Sequence, residues 1–217
     1  MVGLSGGVDS GIAASHLKQD GWNVTALFMK NWEEDDDEVY CAAREDLAMA
    51  TQVSDALDIP LRTVNFSHEY WERVFAIFLR EYRAGRTPNP DVLCNREIKF
   101  KEFLSYAQHL GSERIATGHY ARIEESSGAF FLNKAKDLSK DQSYFLYALG
   151  QGALAPTLFP LGELKKTDVR EEAAALGLPN AQRKDSTGIC FIGEKRFSGF
   201  LARYLPVTPG RIQNLEG

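Results

Sequence analysis

Apolar residues recur along the chain with two periods, and the period changes at glycines and prolines. Met1 to Leu4 is a short apolar stub, predicted as a strand. After a glycine-rich hexapeptide comes an amphipathic segment from Gly11 to Gln19, predicted as a helix that stops at Gly21. Val24, Ala26, Leu27 and Phe28 predict a second strand within Asn23 to Trp32. Ala43, Leu47, Ala50 and Val53 fall on one face of a second helix from Val39 to Leu57. Leu61 to Phe66 predicts a third strand after Pro60, and Ser67 is expected to cap a long helix from His68 to about Arg83. A further helix, Arg96 to Leu110, is closed by Gly111, and Arg114 to Tyr120 predicts a fourth strand. Strands alternating with helices imply right-handed crossovers and a doubly wound, mostly parallel α/β sheet. Ligands bind such sheets in the crevice at the carboxyl ends of the strands.

After residue 120 the pattern changes. Ala121 to Glu125 and Ala129 to Lys134, joined around Ser126-Ser127-Gly128, predict an antiparallel hairpin. Helices are expected at Gln142 to Leu149, Asp168 to Leu176 and Arg196 to Leu205, and Pro206 to Gly210 reads as a linker or turn. The expected organisation is a catalytic domain over residues 1–204, extended by helices and a hairpin after about residue 121. Residues 205–217 would be a linker and the start of a truncated further domain, so the chain reads as a fragment.

The chain has 217 residues, 44% hydrophobic and 25% charged, which places it among globular chains and outside the disordered, collagenous and disulfide-scaffold classes. No apolar run nears the roughly 20 residues of a membrane helix, and the N-terminus lacks a secretory pattern, so a cytoplasmic protein with no membrane partner is expected. The formal net charge of -5 argues against a nucleic-acid partner only until its distribution is seen. Residues 1–76 carry 5 basic and 14 acidic side chains, whereas residues 77–217 carry 20 and 16. A polyanion would meet the second part. The acidic run Glu33 to Glu38 reads as a solvated loop before a helix N-terminus.

Ser5-Gly6-Gly7-Val8-Asp9-Ser10 lies between a strand and a helix. Its glycines would let the backbone approach an anion while the first helical N–H groups point at it; the alternative is a tight turn in which Ser or Asp only caps the helix. No Walker A lysine and no GxGxxG accompany it. Cys41, Cys94 and Cys190 are too few and too scattered for a disulfide framework, and no CxxC suggests zinc. Cys94 follows Thr87-Pro88-Asn89-Pro90-Asp91, read as a proline-stiffened loop. At the start of a helix opened by Asn95 its thiol would ionise more readily, with Asp91 near enough to move a proton; equally, Asp91 and Asn95 could be turn and cap residues around an inert thiol. Cys190 lies in Asp185 to Gly193, a polar start running into an apolar stretch, where reactive and buried readings both remain. Cys41, on the second helix, reads as core.

The hexapeptide resembles the SGGxDS pyrophosphate loop of the N-type ATP pyrophosphatases. With NPDVLCN, ATGHYAR, KDQSYFL and GICFIG following in order, nearly the whole chain resembles the bacterial tRNA-specific 2-thiouridylases. That resemblance implies a Rossmann-like fold and a cycle in which ATP adenylates the C2 oxygen of the wobble uridine, AMP becomes the leaving group, and a persulfide supplies sulfur. It implies that Gly3, Leu4, Ser5, Gly6, Gly7, Val8, Asp9, Ser10, Met29 and Gly118 contact ATP, with Asp9 also positioning Mg²⁺. Asn89, Pro90 and Asp91 would meet the base, Asp91 serving as acid or base, and Lys140, Asp141 and Gln142 would touch the tRNA anticodon loop. His119 is either a tRNA contact or a strand-end histidine satisfied locally. Cys190 would carry the persulfide delivered by a sulfur-donor protein, and Cys94 would assist, leaving a Cys94–Cys190 disulfide to be reduced. Two rivals compete with this reading: another ATP pyrophosphatase, such as an amide ligase or a tRNA lysidine-type synthetase, and a non-catalytic adenine-nucleotide-binding module.

Overall fold

The structure, a computed structural model, describes residues 1–33, 42–185, 197–205 and 210. Its centre is a parallel sheet. β1 (Val2–Gly3) pairs with β2 (Ala26–Lys30) in the register Val2 to Ala26, and β2 pairs with β3 (Leu61–Asn65) from Ala26 opposite Leu61. On the other side of β1 lies β4 (Ile115–Ala116), with Val2 opposite Ala116. The order β3-β2-β1-β4 continues to a further parallel strand, Thr157–Leu158, which the periodicity did not predict because two residues show no period.

Successive β2 side chains leave opposite faces of the sheet. Ala26 and Phe28 enter one core cluster with Val2, Leu4 and Val53, while Leu27 enters another with Phe75, Phe78, Ile98 and Phe103. Apolar cores on both faces are the doubly wound arrangement expected from the pattern. The connection after β1 is α1 (Val8–Gln19), which begins three residues before the expected Gly11 and is buried on nearly every side. Its Ala14 and Leu17 pack into the Val2 cluster, and its Val8, Ile12 and Ala13 pack with Leu161, Val169 and Ala173. α2 (Ala42–Ala56) follows β2.

α3 (Ser67–Tyr70) passes through a π turn, Trp71–Phe75, into α4 (Ala76–Arg83). The wider turn aims both Trp71 and Phe75 at Trp32, with centroids at 5.9 and 4.9 Å. Ser67 is not a cap: it is the first helical residue, and its N–H donates to Asn65 Oδ1 at 2.9 Å. The next helix also departs from expectation. α5 (Pro90–Cys94) runs through a π segment, Asn95–Glu102, into α6 (Phe103–His109), so it begins at Pro90 and not at Arg96. Asn89 Oδ1 accepts from the N–H groups of Asp91 and Val92 at 3.1 and 3.4 Å, and Pro90 occupies a first-turn position that needs no N–H.

Beyond β4, the hairpin forms as β5 (Ala121–Ser126) and β6 (Ala129–Lys134). Ser127 and Gly128 both have positive φ, 52° and 78°, as a two-residue turn matched to strand twist requires. α7 (Ser143–Leu146) is shorter than expected, α8 (Gln151–Leu154) was not foreseen, and β7 is the Thr157–Leu158 edge strand. α9 (Lys166–Ala175) starts two residues before Asp168, and α10 (Phe197–Leu201) covers part of the last expected helix. Glu34 to Glu38, Arg196 and Pro206 to Pro209 lie outside the described residues. No helix among the described residues is long and apolar enough to cross a membrane.

Candidate functional site

In the order β3-β2-β1-β4-β7 the chain runs outward from β1 in one direction and returns on its other side at β4. The switch point therefore lies between β1 and β4, and the segments leaving their carboxyl ends are Leu4 to Ser10 and Thr117 to Tyr120. They touch. A Cβ at Gly118 would lie 2.7 Å from Ser10 N and 2.8 Å from Asp9 C, so only glycine lets the second segment lie on the first turn of α1. Met29 joins them from β2, its Cε 3.2 Å from where a Gly3 Cβ would be. Gly3, Ser5, Gly6, Gly7, Asp9, Ser10, Met29 and Gly118, read from sequence as one site, are thus brought together. Leu4 and Val8 belong to it through their backbone, since both side chains are core.

The loop is ordered from within. Ser5 N–H donates to Ser10 Oγ at 3.2 Å, Gly7 N–H to Ser5 Oγ at 3.3 Å, and Ser10 Oγ–H to Gly7 O at 3.0 Å. Gly6 holds a left-handed φ of +79°. Val8, Asp9 and Ser10 open α1, where backbone N–H groups have no intrahelical acceptor and the helix end is positive. A helix start of this kind favours negative charge.

Asp9 is tied into a charged network behind the loop. Lys166 Nζ donates to Asp9 Oδ1 and Oδ2 at 2.7 and 2.8 Å, and Tyr120 Oη–H donates to Asp9 Oδ1 at 2.8 Å. The Lys166 side chain is only 9% exposed and also meets Asp185 Oδ1 at 2.8 Å. Asp185 further accepts from Arg170 at 2.6 Å and Lys140 at 2.9 Å. Lys166 and Lys140 outweigh the desolvation of Asp185 and hold its carboxyl down at about 2, whereas burial first and Asp9 second push the Tyr120 hydroxyl up, keeping it a donor. Lys166, Tyr120 and Asp185 were not singled out in the sequence as site residues. A lysine at a helix start reads as solvated, and only the fold shows that two carboxylates surround it.

His119 is satisfied locally: its Nδ1 lies 2.7 Å from Thr117 Oγ1 and its ring packs on Phe100 and Phe159. Desolvation, with a smaller contribution from Lys99, drives its pKa well below the usual 6.5, so it is neutral at pH 7. Lys140, Asp141 and Gln142 are likewise engaged within the protein. Lys140 pairs with Asp185; Asp141 accepts from Ala135 N at 2.8 Å and Ser143 Oγ at 2.7 Å; Gln142 Oε1 accepts from Tyr120 N at 2.9 Å.

Cys94 does not stand at a helix start. As the last residue of α5 it lies more than one turn inside the helix opened at Pro90 and is 1% exposed, packed in the cluster with Leu27 and Phe103. The expected activation by the helix dipole therefore has no geometric basis, because the effect is confined to the first turn. Asn95 Nδ2 donates to Phe145 O at 3.3 Å, tying this helix to α7. From Asp9 through Tyr120, Gln142, α7 and Asn95, hydrogen bonds and short chain segments lead to Cys94. Cys41 and Cys190 lie outside the described residues.

Asn180, 1% exposed, donates from Nδ2 to Gly6 O at 3.1 Å, and Arg183 Nη1 reaches the same oxygen at 3.3 Å. Arg183 is held in turn by Asp46. Asn180 Oδ1 is buried without a hydrogen-bond partner among the described residues, a situation that costs about 1–3 kcal/mol. Neither residue was identified from sequence.

Comparison with known proteins gives a consistent picture. The profile of the family described as tRNA methyl transferase HUP domain matches residues 1–194. The tRNA-specific 2-thiouridylase MnmA of Nitrosomonas eutropha is 61% identical over 217 residues, all of this chain and 60% of that protein. That of Ralstonia pickettii is 61% identical over the whole chain and 59% of its own length. The chain thus spans about 60% of the length of the curated relatives it matches. Among solved structures, NMN synthetase from Francisella tularensis superposes with a TM-score of 0.51 at 22% identity, covering 85% of this chain and 65% of that one. A 4-thiouridine synthetase, solved in complex with RNA and with bound ATP, gives 0.51 at 15% identity over 93% of this chain and 48% of that one. At such identities these two structures show the Rossmann-like fold alone.

Proposed function

The chain belongs to the tRNA methyl transferase HUP domain family, and from that premise we propose that it carries the catalytic part of an ATP-dependent tRNA uridine 2-thiolase. The observation that carries this reading is the single connected site at the switch point. A glycine loop built for an anion is linked through Tyr120, Gln142 and Asn95 to a cysteine, in a chain 61% identical to curated 2-thiouridylases.

In this reading Gly3 to Ser10, Met29 and Gly118 hold ATP, with the α1 N-terminus on the pyrophosphate. The donor set fits Mg²⁺ as an ion carried by phosphate oxygens. Asp9 offers a hard carboxylate one-third exposed, and the described residues contain no cluster of three His, Cys, Asp or Glu that would bind a metal by themselves. Bound there, Mg²⁺ would neutralise the leaving pyrophosphate. Lys166, already on both Asp9 oxygens, holds that carboxylate in its orientation.

Asn89, Pro90 and Asp91 meet the uridine, and Asp91 moves the proton. Lys140, Asp141, Gln142 and His119 line the approach of the anticodon loop, a single-stranded target from which a base is readily turned out. The uridine C2 oxygen attacks the α phosphorus and pyrophosphate leaves. Sulfur carried as a persulfide on Cys190 by a sulfur-donor protein then attacks C2, and AMP leaves. Attack of the Cys94 thiolate on Cys190 Sγ releases that sulfur and forms the disulfide, which a thiol reductant reopens.

The test is mass analysis of anticodon-loop nucleosides after incubating the protein with ATP, Mg²⁺, a sulfur source and unmodified tRNA, alongside pyrophosphate release. Thiolated uridine formed with pyrophosphate, lost in Cys94→Ser and Cys190→Ser but largely retained in Cys41→Ser, is the expected result. ATP binding without pyrophosphate would instead identify a nucleotide-binding module, and pyrophosphate with no thiolated base would identify another ATP pyrophosphatase.

A further inference from the structure

We infer that Asn180 and Arg183 are positioning residues that fix the orientation of the Gly6–Gly7 peptide, so that the glycine loop presents N–H groups and not a carbonyl oxygen to an anionic ligand. The inference rests on the reading of that loop as a polyphosphate site and adds to it two residues outside the motif.

A trans peptide directs its C=O and N–H in opposite directions. With Gly6 O held by Asn180 Nδ2 at 3.1 Å and Arg183 Nη1 at 3.3 Å, the Gly7 N–H is turned away from them, where it meets Ser5 Oγ at 3.3 Å. Glycine is free to adopt either sign of φ, and two adjacent glycines make this peptide the easiest in the loop to invert. Inverted, it would aim a carbonyl oxygen at the phosphates.

The surroundings are shaped for the clamp. A Cβ at Gly6 would lie 3.0 Å from Arg183 Nη1, so the glycine leaves room for that clamping group. Asp46 anchors Arg183 from α2. The amide of Asn180 is buried with its own oxygen unpartnered among the described residues, so the hydrogen bond from its Nδ2 serves Gly6. α9 therefore grips the loop from both ends: Lys166 at its start holds Asp9, and the turn after it holds Gly6.

The experiment compares Asn180→Leu, which changes no charge, with Arg183→Met and Arg183→Lys. It measures binding of ATP, inorganic pyrophosphate and adenosine calorimetrically, with the unfolding midpoint recorded for each. The expected result is a tenfold or greater loss for ATP and pyrophosphate in Asn180→Leu, a severalfold loss in Arg183→Met that Arg183→Lys restores, and unchanged adenosine affinity throughout. Should Asn180→Leu fail to fold, the pair of variants at Arg183, a side chain one-third exposed, decides. Equal losses for adenosine and ATP, or none for either, would overturn the clamp while leaving the nucleotide reading intact. A wild-type protein that binds neither ATP nor pyrophosphate would overturn both.

Discussion

Asn89 shows how a single residue decides the environment of another. Asparagine followed by proline reads equally as a stiff turn and as a helix start, and the choice between them moves Cys94 from an accessible loop to a buried helical position. The cap signature was legible; the burial was not, because it depends on Phe103 and Leu27 arriving from distant segments. Asn89→Ala should therefore destabilise the protein by about 1 kcal/mol in urea unfolding, with Asn89→Asp near neutral. Two titrating groups make stability fall with acidity. His119 has a folded pKa below its ordinary 6.5, so the unfolded chain binds more protons as pH falls through 6.5, and stability is lost from about pH 7 downward. His119→Gln should flatten that decline between pH 7 and 5. Asp185, held at about 2 against an ordinary 3.8, contributes stability that is complete above pH 3.8 and lost as pH approaches 2. Asp185→Asn should remove this second, more acidic step and leave the first, as pH-dependent unfolding midpoints will show.

At the scale of elements, what the sequence revealed depended on length. Five-residue strands and a hairpin with a Ser-Gly turn carry enough alternation to be read, and β2, β3, β5 and β6 fall where expected. β4 falls within the expected Arg114 to Tyr120 but is only two residues long, and β7 was not expected, because its sheet partner defines it and not its own pattern. The π segments were invisible for a similar reason: they shift side chains by one position within an otherwise helical period. The glycine loop was legible as a motif, and its partner Gly118 only by resemblance, since nothing in Thr117-Gly118-His119 announces that it will lie on α1. The contact makes a sharp prediction. Gly118→Ala places a methyl group within 2.8 Å of backbone atoms of Asp9 and Ser10, where no rotamer relieves it, so the first turn of α1 must shift. Overpacking of this kind costs about 1–3 kcal/mol. Pyrophosphate affinity should fall in parallel, whereas alanine at Gly150, which would meet nothing within 4 Å, should leave that affinity unchanged. Calorimetric titration of the two variants separates the outcomes.

For the whole chain the charge distribution bounds how the proposed RNA substrate could be held. The acidic surplus lies in residues 1–76, and residues 77–217 carry a surplus of only +4. Many cations in that second part are already engaged: Arg86 with Glu81, Arg96 and Lys101 with Glu97, Arg122 with Glu163, and Lys140, Lys166 and Arg170 with Asp185. A phosphate contact by any of them must first displace a carboxylate, which cancels much of the gain from released counterions. Each contact to a single-stranded anticodon loop contributes about -0.7 to the slope of log affinity against log salt. With many of its cations committed in this way, this 217-residue chain should show a total slope no steeper than about -3 and weak binding at physiological salt. In the proposed reading, adding ATP should leave that slope unchanged, because the glycine loop lies at the switch point and would contribute its backbone to phosphates of ATP and not of RNA. Filter binding of unmodified tRNA at four salt concentrations measures it. A slope near -6 would mean that the engaged arginines and lysines exchange their carboxylates for RNA phosphates, and that Asp185 and Glu97 act as anion placeholders on the RNA-binding face.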